Sequence, residues 1–154
     1  INGVNIIRIP QYKKTGISRI DMLLSRIFYR RYLRGLLDQE TFDIIESPEG
    51  SGWLPFGVSK KTQFITRLHV GQGVMEKMLN RKSSFLLKVF ERLQLTHSDY
   101  IISVSEFIAN ATKTVYNINK QIQVIYNGIK IPLSKDFKKK MFFPFENNFK
   151  ACAV

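Results

Sequence analysis

The chain has 154 residues, enough for one domain with a real core, and its 44% hydrophobic and 23% charged content is ordinary for a globular protein. Twenty-four Lys and Arg against twelve Asp and Glu give a net charge of +12, which points to an anionic partner: nucleic acid, an acidic membrane face or a phosphorylated substrate. No apolar run approaches bilayer length, INGVNIIRIP lacks a signal-peptide pattern, and the single cysteine, Cys152, excludes an internal disulfide or zinc cluster and points to a reducing compartment.

The chain opens without Met on a strand-like run, which reads as a piece of a longer protein. Residues 4–9, VNIIRI, predict a short strand closed by Pro10. After the polar QYKKTG, residues 17–37 predict a helix, because Ile17, Ile20, Leu24, Ile27 and Phe28 recur at three- and four-residue spacing as a core-facing stripe. At 100° per residue, Arg19, Arg26 and Arg30 share one flank, with Arg34 close by. That basic flank is either a solvated face or a surface for anionic lipid headgroups.

Residues 42–46, FDIIE, form an apolar run closed by acid, and SPEGSGWLPFG reads as a loop. QFITRL at 63–68 predicts the next strand, and His69–Gly73 a glycine-bearing loop. Residues 74–80 read as helical, and Ser83 or Ser84 caps a second helical segment carrying Leu86, Leu87, Phe90 and Leu93. YIISV at 100–104 predicts a buried strand, Ser105 caps a helix running to about Asn117, and IQVIY at 122–126 predicts a strand ended by the turn signal Asn127-Gly128. Beyond Pro132 a basic, aromatic stretch leads to FKACAV, which reads as the start of another strand.

Strands alternating with helical stretches predict a Rossmann-like α/β fold, a parallel sheet with helices on both faces. Such sheets bind ligands beyond the carboxyl ends of their strands. The loops that matter are therefore 46–57, 69–73, Ser105 and Asn127-Gly128. Glu46 and Glu49 share one of them; paired carboxylates can do acid–base work or bind sugar hydroxyls, or simply end a strand and serve a turn. Gly71-Gln72-Gly73 is not a dinucleotide fingerprint, since position 76 is Glu where a third glycine is needed. Ser105 sits where free N–H groups favour anions, and equally where any helix needs a cap. His97 reads as a helix-end residue, whereas His69 follows a strand beside a glycine and divides evenly between a site residue and an ordinary loop histidine.

Taken in order, FDIIESPEGSGW, FITRLHVG, FERLQLTHSDYIISVSEF and VIYNGI resemble the amino-terminal domain of a GT-B glycosyltransferase of the large retaining family four, over about residues 42–130. The VS and NGI elements are the most specific. The resemblance implies that residues 1–132 form an acceptor-side domain lacking its first strand and glycine-rich loop. It further implies that 133–154 form a linker and the first strand of a carboxy-terminal domain. It implies transfer from a nucleotide-sugar donor to a glycan or lipid-linked acceptor with retention of configuration, as in surface polysaccharide or glycolipid synthesis. His69 would face the interdomain cleft and align donor and acceptor. Glu46, Glu49, Gly50, Arg67, Gly71 and Ser105 would border the acceptor cleft, and Glu91 would be structural. No metal is implied, and the fragment alone would be inactive.

Many members of that family work at the cytoplasmic membrane surface, which would give the Arg19, Arg26, Arg30 and Arg34 flank anionic headgroups to lean on. The chain departs from the pattern at Lys130, where an Asp is usual after NGI, and the resemblance implies a nucleotide-sugar-binding domain outside these residues. Two other readings compete: a basic, non-catalytic module binding nucleic acid or membrane, and a fragment of a GT-B-like sugar-nucleotide epimerase. Nucleic acid is disfavoured, because the basic residues are spread along the chain without a stacking platform.

Overall fold

A computed structural model describes residues 6–10, 12–50, 52–53, 57, 59–80, 82–128 and 151–153. The elements follow the alternation expected: α1 (Ser18–Gln39), β1 (Ile44–Pro48), β2 (Gln63–Leu68), α2 (Gln72–Leu79), α3 (Phe85–His97), β3 (Tyr100–Ser103), α4 (Glu106–Tyr116), β4 (Ile122–Val124) and β5 (Ala151–Ala153). The sheet order is β4-β3-β2-β1-β5, and every pairing is parallel. This is the Rossmann-like α/β class read from the sequence. Of the strand expected over 4–9, Ile6 to Ile9 are irregular and mostly exposed, and the rest lies outside the described residues. Residues 133–150 also lie outside them, whereas Ala151–Ala153 pairs with β1 in the same sheet.

The fully buried strand residues Ile45, Ser47, Phe64, Thr66, Leu68, Ile101 and Ser103 alternate along β1, β2 and β3, so they share one face. The chain steps from β1 to β4 always towards the same edge, and right-handed crossovers then put every connection on one side. Helices on both faces were expected; among the described residues they stand on this face only. Two apolar clusters form there. Leu33 of α1 packs with Ile45 and Phe64, supported by Leu36 and Leu37. Leu68, Val74, Leu95, Ile101, Ile108, Ala109, Tyr116, Ile118 and Ile122 form the larger one, under α2, α3 and α4. Each such aliphatic side chain contributes roughly 1.5–3 kcal/mol by leaving water.

A polar seam lies in the interior near these clusters. Gln94 Nε2 of α3 donates to the Pro48 carbonyl at 2.8 Å, and Thr66 Oγ1 meets Ser98 Oγ at 2.5 Å. Helix ends follow their local chemistry. Ser105 Oγ accepts from the Ile108 N–H to start α4, as expected, and Asn117 ends it in the left-handed region at φ 52°. Asn80 ends α2 the same way at φ 50°.

The largest surprise is the roll of α1. Its expected core stripe is turned outward at Ile17, Ile20 and Ile27, which are 57%, 45% and 45% exposed, and Leu23 beside them is 49% exposed. Arg26, assigned from the sequence to a lipid-facing flank, is instead only 5% exposed. Its Nε donates to the Gly52 carbonyl at 2.9 Å, and its guanidinium lies 4.5 Å from the Phe90 ring centre and 5.6 Å from that of Trp53. Stacking and hydrogen bonding offset the desolvation of this charge, so the arginine rather than an isoleucine faces inward.

Candidate functional site

The carboxyl ends of β1 and β2 carry the loops that hold most of the candidate residues. Past β1, the chain turns at Glu49, whose N–H donates to the Arg67 carbonyl at 3.2 Å. The Glu49 carboxylate is buried, and its Oε1 accepts the backbone N–H of His69 at 2.7 Å. Two residues on, Gly71 lies against both buried acids: a Cβ there would stand 3.3 Å from Glu49 Cγ and 3.4 Å from Glu91 Oε2. Gly73 is tighter still, since a Cβ would meet the Tyr116 hydroxyl at 2.4 Å. Both loop glycines therefore leave room for the side chains that hold the loop.

Glu91, fully buried on α3, closes the arrangement. Its Oε1 accepts the Gln72 N–H at 3.0 Å, its Oε2 the Gly73 N–H at 3.4 Å, and the Tyr116 hydroxyl donates to Oε2. The first free amides of α2 are thereby taken by a protein carboxylate, which also complements the helix dipole. These two amides are therefore already bonded within the protein. The loop from His69 to Gly73 is held by its backbone from two sides, and the His69 side chain is left exposed at the sheet edge.

Electrostatics follow from this crowding. Burial first, and the charge of Glu91 second, push the Glu49 carboxyl up to about 7, against the hydrogen bonds it accepts from backbone N–H groups, including that of His69. Burial, with the Glu91 contact, likewise raises the Tyr116 hydroxyl. Burial pulls the Arg26 guanidinium down while the Glu91 charge pulls it up. A carboxyl raised from 4.5 to about 7 binds its proton more tightly in the folded state, so its contribution to stability is complete below pH 4.5 and is lost as pH rises to about 7. Urea unfolding across pH 5–8 is expected to show that decline, and Glu49→Gln to flatten it; an unchanged slope in the variant would refute the assignment.

The other candidates are placed elsewhere. Glu46 and Arg67 form a bidentate pair, Nε to Oε1 at 2.6 Å and Nη2 to Oε2 at 2.9 Å, on the opposite face of the sheet from the buried strand residues. Glu46 and Glu49 are thus held apart by different partners, Arg67 and the His69 N–H. Gly50 has open space around it, and Ser105 is committed to its cap at the end of β3. Arg19 and Arg34 are exposed, while Arg30 is partly buried, its Nη2 3.5 Å from the Gly57 carbonyl. Among the described residues no group of three or more His, Cys, Asp or Glu could hold a metal ion.

Arg26 as an internal anchor and Tyr116 as a partner of Glu91 were missed. One signal was present: Leu87, Glu91, Gln94, Leu95 and Ser98 recur at helical core spacing, so Glu91 stands on the stripe that must be buried. A charge on such a stripe needs partners, and the glycines at 71 and 73 are where backbone partners come close. Residues 4–131 match the model of the family described as Glycosyltransferase Family 4. No curated protein matches the chain.

Proposed function

The chain belongs to glycosyltransferase family 4, a family of retaining enzymes that use nucleotide-sugar donors, and from that premise we propose that it is the acceptor-side half of such an enzyme. The observation that carries this reading is the His69 loop. A histidine ring stands exposed at the carboxyl edge of a parallel sheet, on a backbone fixed by two buried carboxylates. Preorganisation of that kind suits alignment of two substrates, where misplacement by an ångström costs orders of magnitude in rate. The role assigned to His69 is a hydrogen bond to the transferred sugar as it meets the acceptor. Retention of configuration asks for no nucleophile from this half. Departure of the nucleotide is helped by cationic groups of a partner domain that binds the donor. In this reading Gly50 and Trp53, in the loop after β1, stand on the acceptor side, and the acceptor is a glycan or a lipid-linked sugar.

In a polypeptide joining this chain to its nucleotide-sugar-binding domain, His69→Ala is expected to lower kcat by about 10²-fold with a smaller change in KM. Unchanged turnover would remove His69 from the mechanism. His69 makes no hydrogen bond through its ring to a described residue, so the substitution leaves the fold intact and the kinetic readout is clean.

The outward face of α1 supports a second part of the same reading, attachment to the cytoplasmic face of an anionic membrane. Ile17, Ile20, Leu23 and Ile27 present an apolar strip, and Arg19, Arg31 and Arg34 stand exposed beside and beyond it. Apolar insertion with arginines reaching to headgroups is how a helix lies in an interface. No helix among the described residues is long and apolar enough to cross a membrane. Co-sedimentation with anionic vesicles is expected to fail at high salt. The pair Ile20→Ser and Leu23→Ser is expected to weaken it at least about tenfold. Binding indifferent to lipid charge would overturn this part alone.

A further inference from the structure

We propose that the groove between residues 12–18, the first half of α1 and Trp53 is a saccharide subsite that takes a neutral pyranose ring. The inference deepens the acceptor-side reading and rests on it. The groove holds about 630 Å³, within the range of small-ligand clefts, and runs between Tyr12, Tyr29, Trp53 and Met22 on its apolar side and Lys14, Ser18, Asp21 and Ser25 on its polar side. Its position follows from topology. Helix α1 ends just before β1 begins, so its opposite end, where the groove lies, reaches the carboxyl edge of the sheet, as does Trp53 in the loop after β1. The groove therefore opens on the same edge as His69.

Its chemistry is that of a sugar ring. A pyranose offers a C–H face that packs on aromatic rings and a rim of hydroxyls that need hydrogen-bond partners. The aromatic rings form a continuous row: Tyr12 to Phe28 at 6.1 Å, Phe28 to Tyr29 at 5.6 Å, and Tyr29 edge-on to Trp53 at 4.7 Å between centroids. The polar rim is built rather than loose. Asp21 accepts the Thr15 N–H at 2.6 Å, the Thr15 hydroxyl at 2.7 Å and the Gly16 N–H at 3.1 Å, which fixes the 15–16 turn as one wall. Three bonds leave its carboxylate with acceptor capacity for a hydroxyl. Among the described residues the lining carries one cation, Lys14, and one anion, Asp21, so their charges balance, in a chain whose total is +12. A balanced lining favours a neutral ring over a phosphorylated ligand.

Trp53 is the only tryptophan in the chain, so its indole N–H resonance reports this groove alone. Titration of the isotope-labelled chain with methyl glycosides of neutral hexoses and N-acetylhexosamines is expected to move that resonance saturably for at least one of them, with Kd on the order of 1 mM. Ser25→Leu, which fills the groove with a good helix former and spares the aromatic row, is expected to raise that Kd at least about tenfold. Lys14→Ala, at an exposed position of the rim, is expected to weaken binding while leaving the fold unchanged. An indole resonance unmoved by every glycoside overturns the groove. Saturable shifts around His69 in that case leave the acceptor-side reading standing, and no shift anywhere counts against both.

Discussion

Glu91→Leu is expected to lower the unfolding free energy by about 3–5 kcal/mol. Leucine fits the space but offers nothing to the Gln72 N–H or the Tyr116 hydroxyl, which meet Glu91 in the interior, while the Gly73 N–H keeps the Tyr116 hydroxyl at 3.0 Å. It also strips Arg26 of the buried carboxylate charge that opposes its desolvation. Each group left without a partner carries a penalty of about 1–3 kcal/mol, and the two do not relax independently because they hold one loop. Glu91→Gln keeps an acceptor oxygen and loses the charge, so about 1–3 kcal/mol is expected. Urea titration of both variants checks the ranking. A leucine variant within about 0.5 kcal/mol of the parent would show that the network contributes nothing net, as some buried charge clusters do.

Gly52→Ala is expected to cost about 3 kcal/mol or more, through backbone and space together. Gly52 sits at φ +54°, and a Cβ there would lie 2.5 Å from the Phe90 carbonyl carbon, 2.7 Å from Phe90 Cβ and 2.8 Å from the Glu91 N. The left-handed conformation alone costs an alanine about 1–2 kcal/mol. The clash is with helix backbone, which cannot swing aside, and overpacking adds about 1–3 kcal/mol. Arg26 donates to the carbonyl of this same glycine, so displacement of the turn loosens the anchor between α1 and the loop after β1. Gly50→Ala is the matched control: nothing lies within 4 Å of its Cβ position, and a change within about 0.5 kcal/mol is expected. Equal stability of the two alanine variants would refute the account of position 52.

Much of the fold was legible because its signals are local. The strand at 63–68 agrees with its expected bounds, and the helix expected over 17–37 runs Ser18–Gln39. The caps at Ser105 and Asn117 fall where the residue types put them. What failed needed knowledge of the partner surface. Periodicity showed that α1 is amphipathic, yet it could not say which stripe the sheet receives. An isoleucine stripe won the sequence argument; Arg26 won the interior, because Gly52, Phe90 and Trp53 converge on it from elements distant in sequence. Similarly, Glu46 and Glu49 look like neighbours in the sequence. The alternation of β1 sends the first to Arg67 on one face, and the turn after the strand sends the second inward beneath His69. Of the candidate site, the glycine-bearing loop after β2 that carries His69 and Gly71 was legible, whereas the supports of that loop, Glu91 and Tyr116, lie on α3 and α4 and were visible only as polar groups on core stripes.

The sheet order carries a kinetic consequence. From β1 to β4 each new strand joins the edge left by the one before it, so these pairings close loops of only a few dozen residues. Short loops lose little entropy on closure, and low contact order speeds folding. The nascent chain can thus add strands in the order in which they leave the ribosome, with β2 and β3 as the template. The pairing of Ile44 with Ala151 stands apart, joining β5 to β1 across more than a hundred residues, and it is the last of these pairings that the growing chain can make.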